Sequence, residues 1–180
     1  MKEINNSEMD NSNDDIRARI CAILDPSEDA PLCADGFDEA ILGVARRAGK
    51  LLGVVYDKDR CIDLLCKDMN YEEALEYFDY NIAGAWVGPL TPLFLEKIDN
   101  VLPLLDLDID DVVPAHVHEY VLGVVSQFGN ILGLLQDKDR YIDLLCVNKS
   151  YEEALNILDQ VAVKNDDASS FLLLERIRTD

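Results

Sequence analysis

Apolar and polar positions alternate along the chain in a pattern that occurs twice. From Asp38 to Ala48, the residues Ile41, Val44, Ala45 and Ala48 fall at helical spacing, with Arg46 and Arg47 on the opposite side. This predicts a helix closed by Gly49 as its C-terminal cap. Leu51 to Tyr56 is a short apolar run and predicts a strand buried on both faces. Asp57 follows as a helix cap, and Cys61, Ile62, Leu64 and Leu65 form the apolar side of the helix it opens. Asn70, with Glu73 three residues on, marks the start of a third helix. Its stripe runs through Ala74, Leu75, Phe78, Ile82 and Ala85 and ends at Gly88-Pro89. Leu93 to Leu95 predicts a second strand, so the unit reads α-β-α-α-β.

The same unit returns about eighty residues later without a gap. Leu42-Gly43-Val44 falls on Leu122-Gly123-Val124, Asp57-Lys58-Asp59-Arg60 on Asp137-Lys138-Asp139-Arg140, and Tyr71-Glu72-Glu73-Ala74-Leu75 on Tyr151-Glu152-Glu153-Ala154-Leu155. Roughly half of about forty aligned positions are identical, which chance does not produce. Leu172-Leu173-Leu174 matches the second strand. Two copies are too few for a solenoid and suggest a fused dimer about a pseudo-two-fold axis. Two strands cannot form a stable sheet alone. The expected fold is therefore α+β: two tandem α-β-α-α-β units packed as a pseudo-two-fold pair, with a small four-stranded sheet covered by helices.

Five segments follow from this reading. Residues 1–14 form a disordered acidic tail and 15–36 an N-terminal helix and loop, with Ile16, Ile20 and Ile23 on one side. Residues 37–97 are the first unit, 98–116 an acidic linker carrying Asp99, Asp106, Asp108, Asp110 and Asp111, and 117–180 a degenerate second unit.

With 49% hydrophobic residues, the chain of 180 residues can bury a core. It has no apolar run of the roughly 20 residues that a membrane helix needs, and its start lacks the order of a secretion signal. These features point to a soluble protein of the cytoplasm, or of the host cytoplasm if the chain is phage-encoded. The five cysteines are odd in number and form no CxxC pair, so they read as free thiols.

Charge narrows the partners. Thirty-six acidic side chains against 16 basic ones give a net charge of −20, which disfavours direct contact with a nucleic acid backbone. A basic protein surface, including one that otherwise binds nucleic acid, is the natural complement. Solubility alone also explains such acidity.

The first unit carries the pattern Asp38-Glu39-Ala40-Ile41-Leu42-Gly43, then Val54-Val55-Tyr56-Asp57, then Tyr71-Glu72-Glu73-Ala74, and closes with Glu76 to Gly88 and Thr91-Pro92. In this it resembles a group of small uncharacterised proteins of bacteriophages and bacterial genomes, which usually carry one such unit. The resemblance covers Phe37 to about Phe94 and, in the second copy, extends to about Asp159. It implies a phage or mobile-element setting and supplies no catalytic residues.

The copies part after Asp79 and Asp159. The first continues through Tyr80, Asn81, Gly84, Trp86 and Gly88, whereas the second is polar from Lys164. Tyr77, Tyr80, Asn81 and Trp86 are accordingly candidate binding residues, since aromatic side chains dominate interaction hot spots. The plainer alternative packs Gly84 and Ala85 under a neighbouring element and buries Trp86 in the core.

Other chemistry is weak. Asp57, Asp59 and Asp63 recur as Asp137, Asp139 and Asp143, but interleaved Lys58 and Arg60 favour helix capping over a Mg²⁺ or Ca²⁺ site. His116 and His118 lack a third zinc ligand nearby, and His118 aligns with the cap position Asp38. No nucleophile elbow, phosphate loop or dinucleotide fingerprint occurs. No metal and no cofactor are expected.

The leading expectation is a non-enzymatic acidic interaction module. It would be phage-encoded and would inhibit a host defence complex in the manner of anti-CRISPR proteins or of a nucleic-acid mimic. The alternatives are a small-ligand binder or enzyme using the Tyr80–Gly88 region, a toxin immunity protein, and a structural or assembly accessory.

Overall fold

The computed structural model of the chain describes residues 7–105, 119–164 and 171–177. His116, His118 and the aspartates at 106, 108, 110 and 111 lie outside the described residues. Helix α1 spans Ser7–Ala22, and a 3-10 turn covers Asp38–Ala40. Two strands follow, β1 (Ile41–Arg47) and β2 (Lys50–Asp57), then helices α2 (Lys58–Leu65) and α3 (Tyr71–Tyr77), then β3 (Leu93–Lys97). Helix α4 (Ile98–Leu105) leads towards the second half, which repeats the order as β4 (Val121–Gln127), β5 (Asn130–Asp137), α5 (Lys138–Cys146), α6 (Tyr151–Lys164) and β6 (Phe171–Arg176).

The six strands close into one barrel in the order β1-β2-β3-β4-β5-β6. This corrects the expected small sheet covered by helices. The physical reason lies in the segment read as the first helix, of which only Asp38–Ala40 is helical, while Ile41–Arg47 is β1 and Ala48 opens a turn. Val44 and Ala45 are adjacent and both fully buried, so this strand has no polar face and its alternation is hidden. Gly49 has the positive φ of a helix cap, +76°, but with Ala48 at +49° it forms the two-residue turn of the β1–β2 hairpin, where Arg47 pairs with Lys50. Phe128 and Gly129, at +37° and +78°, make the same turn between β4 and β5. The unit is therefore β-β-α-α-β, and three strands from each half suffice for closure, which removes every sheet edge.

Within each half the helices carry the chain from one strand to a parallel neighbour, β2 to β3 and β5 to β6. The halves join at two antiparallel seams, β3–β4 and β1–β6, built alike: Gly123 pairs with Lys97, and Gly43 with Arg176. The repeat reaches the interior. Ala45, Val55, Leu93 and Leu95 point inward, and Val125, Leu135, Leu172 and Leu174 complete the same cluster from the other half. A six-stranded barrel this narrow is filled by its own side chains.

The outer layers differ. Over the first half, Val44, Val54, Tyr56 and Phe94 are covered by Ile20 of α1, Phe37, Ala74 and Phe78, the rings of Phe78 and Phe94 meeting edge to face at 5.0 Å. Over the second, the buried cluster is Ile142, Ala154 and Leu158. No helix among the described residues is long and apolar enough to cross a membrane.

The repeated aspartates serve the fold. Asp57 caps α2 by accepting the Arg60 N–H at 3.2 Å and also pairs with Lys97 at 3.0 Å. Asp137 accepts the N–H groups of Asp139 and Arg140 at 3.1 and 3.2 Å and pairs with Arg176 at 2.7 Å. The next residues, Lys58 and Lys138, pair with Glu96 at 3.4 Å and Glu175 at 3.0 Å. Caps and strand-end ion pairs thus occupy Asp57 and Asp137, and no cluster of three potential ligands exists among the described residues.

Candidate functional site

The third helix does not run on to Gly88 as its apolar stripe implied. After Tyr77 the chain widens into a π-helical segment, Phe78–Ala83, closed by the Gly84 N–H donating to the Asp79 carbonyl at 3.1 Å. A Cβ on residue 84 would stand 3.1 Å from that same carbonyl oxygen, so glycine fits the tight closure. Helix α6 in the second half is α-helical over the matching stretch. The π segment is thus a feature of one half, and such segments often mark functional positions.

With its flanking residues this segment forms an arm, residues 77–88, that carries the four candidate residues. Tyr77 is 46% exposed, Tyr80 83% and Trp86 67%, with Val87 beside them also exposed. Burial of Trp86 in the core, the plainer reading of the sequence, is therefore wrong: the indole stands in solvent. The Asn81 side-chain amide donates to the Tyr77 carbonyl at 3.2 Å, which ties it to its own helix.

The loop after the arm is held firmly. Val87 N–H donates to the Thr91 hydroxyl oxygen at 3.0 Å, and that hydroxyl donates to the Gly88 carbonyl at 2.7 Å. Thr91 is buried, and its carbonyl accepts from the Gln127 side chain at 2.7 Å. The Thr91 carbonyl lies so close to Gly53 of β2 that a Cβ there would be 2.9 Å from it. The exposed aromatics accordingly sit on a braced scaffold, which lowers the ordering entropy that binding would cost.

Between the arm and the segment Cys33–Phe37 lies a groove of about 490 Å³. Leu64 and Leu65 of α2, Ile82 and Phe94 provide apolar lining, and Tyr77, Asn81, Ala85 and Val87 form the arm's side. Tyr80 and Trp86 are outside the lining, on the same arm. The groove thus unites Tyr77 and Asn81 but not all four candidates. Its opposite wall, with Cys33 and Asp35, went unrecognised in the sequence because it precedes the repeat and carries no motif.

Two carboxylates, Asp35 and Asp68, line this groove, and no lysine or arginine does. Arg17 holds one Asp35 oxygen at 2.7 Å but leaves that side chain 92% exposed. Burial pushes the Cys33 thiol upward, and burial likewise raises the Tyr56 hydroxyl beneath it, which accepts the Ala34 N–H at 2.9 Å. The thiol is thus held protonated, the opposite of an activated nucleophile.

Comparison with family models, with curated proteins and with solved structures finds no match to this chain.

Proposed function

We propose that the chain is a non-catalytic protein-interaction module that uses the arm of its first half to engage a basic protein surface. One observation carries the reading. Two halves that share a barrel, caps and ion pairs differ in this arm, where Tyr77, Tyr80 and Trp86 are exposed on a braced π turn. A fold-keeping role gives no reason for three exposed aromatics on this arm, where the second copy has Ile157, Gln160 and Asp166 at the matching positions. Aromatic anchors with a net charge of −20 suit a basic partner, steered by charge and held by the rings. The phage setting implied by the first unit's pattern makes a host defence complex that otherwise holds nucleic acid a suitable partner, with the module acting as its inhibitor in the host cytoplasm.

The small-ligand alternative has less support. Polar groups should converge on such a ligand, yet the Asn81 amide is spent on Tyr77 and Asp35 faces solvent.

The test is affinity capture from bacterial host lysate at low and at half-molar salt, with the chain and with the double variant Tyr80→Ala, Trp86→Ala. A specific partner retained at low salt, lost at high salt and lost by the variant supports the reading. Capture of nothing, or capture that ignores both salt and variant, refutes it.

A further inference from the structure

We propose that the groove between the arm and Cys33–Phe37 is the docking site of a basic, amphipathic peptide segment, whose apolar side chain enters the groove while flanking lysines or arginines reach Asp35 and Asp68. This rests on the interaction reading above and names the partner's chemistry. Leu64, Leu65, Ile82 and Phe94 make an apolar lining, and about 490 Å³ lies within the roughly 300–1,000 Å³ of ligand-holding clefts. The charged lining groups are all of one sign. Asp68 is exposed and has no basic partner among the described residues, and Asp35 keeps most of its surface in water despite Arg17. A neutral or acidic segment would leave these carboxylates facing apolar surface or like charge, which costs binding. A lysine- or arginine-flanked apolar anchor satisfies lining and rim together. Exposed Tyr77 and Trp86 add surfaces on which a cation can sit over an aromatic face.

The experiment is panning of a random twelve-residue peptide library against the full chain. The selected peptides are then measured against two variants by fluorescence anisotropy. Ala85→Trp fills the groove from a half-exposed position, and circular dichroism melting confirms that it folds. Asp35→Asn with Asp68→Asn removes the rim charge. The expected result is enrichment of peptides that pair a large apolar residue with lysine or arginine. Affinity should fall at least tenfold in Ala85→Trp and about two- to thirtyfold in the double Asn variant, the range two exposed ion pairs supply. Three outcomes overturn the proposal: no enrichment, enrichment of acidic or uncharged sequences, or affinities that ignore Ala85→Trp. A lysate partner lost with Tyr80→Ala, Trp86→Ala but kept by Ala85→Trp would overturn the groove and leave the interaction reading standing.

Discussion

The seams between the halves depend on two glycines, and replacing them measures how the barrel is locked. At Gly43 a Cβ would stand 2.1 Å from the Glu175 carbonyl oxygen of β6; at Gly123 it would stand 2.1 Å from the Glu96 carbonyl oxygen of β3. Ordinary contact begins near 3.4 Å, so in Gly43→Ala strand β6 must retreat by about 1.3 Å. Both residues also have φ near +155°, a region that L side chains rarely adopt. Backbone strain there costs about 1–3 kcal/mol, and displacing a packed strand about 1–3 kcal/mol more. Each substitution should therefore cost roughly 2–6 kcal/mol, a large share of the roughly 5–15 kcal/mol that holds a domain. Urea unfolding followed by circular dichroism reads this directly: with m near 2 kcal/mol/M, the midpoint falls by about 1–3 M. Gly49→Ala is the internal control. Its φ is +76° but nothing lies within 4 Å of the added carbon, so it should cost only the roughly 1–2 kcal/mol of a left-handed residue. Gly43→Ala and Gly123→Ala should lose nearly equal amounts, both more than Gly49→Ala. If Gly43→Ala is no worse than Gly49→Ala, close backbone approach does not lock the seams and the reasoning fails.

Trp86 is the only tryptophan and stands 67% exposed; its fluorescence should be that of a solvated indole, readily quenched by acrylamide, and Trp86→Ala should change stability by no more than about 0.5 kcal/mol. A quenching-resistant indole would contradict its placement. Glu28 is held below its ordinary value of 4.5 first by the hydrogen bond from Arg46, which it grips at 2.5 Å and which also reaches Glu175 at 3.1 Å. A carboxylate depressed by folding stabilises above its ordinary value and loses that stabilisation as pH falls through its folded value. Glu28→Gln should therefore lower the melting temperature at pH 7 but make little difference well below pH 4, as thermal scans across pH would reveal. Thiol labelling should follow burial: exposed Cys21 reacts first, and Cys61, fully buried and pushed up by burial to about 12, reacts only on unfolding. Prompt native-state labelling of Cys61 would refute the packing of α2 on β2.

What the sequence made legible, and what it hid, divides by the range of the interactions involved. The β2 strand and the caps at Asp57 and Asn70 depend on neighbours within a few residues. The capping box at Asn70 and Glu73 forms with both bonds in place, at 3.0 and 3.3 Å. The first strand was hidden because one of its two partners is distant: β1 meets β6 through Gly43 and Arg176, more than a hundred residues away. Such pairing leaves no local mark, and Ile41, Val44, Ala45 and Ala48 satisfy a helical period as well as a doubly buried strand. Gly49 deepened the ambiguity, since one left-handed residue ends a helix or turns a hairpin equally well. The groove was half legible for the same reason. Tyr77 and Asn81 stood out because the two copies diverge there, whereas Cys33 and Asp35 precede the repeat and have no copy for contrast. The duplication thus does two kinds of work. Where the halves agree, at Asp57 and Asp137 or Gly43 and Gly123, the shared residues close the barrel and cap its helices. Where they disagree, the fold exerts no common demand, and the aromatic arm on one half alone is the part of the surface that closure leaves unexplained.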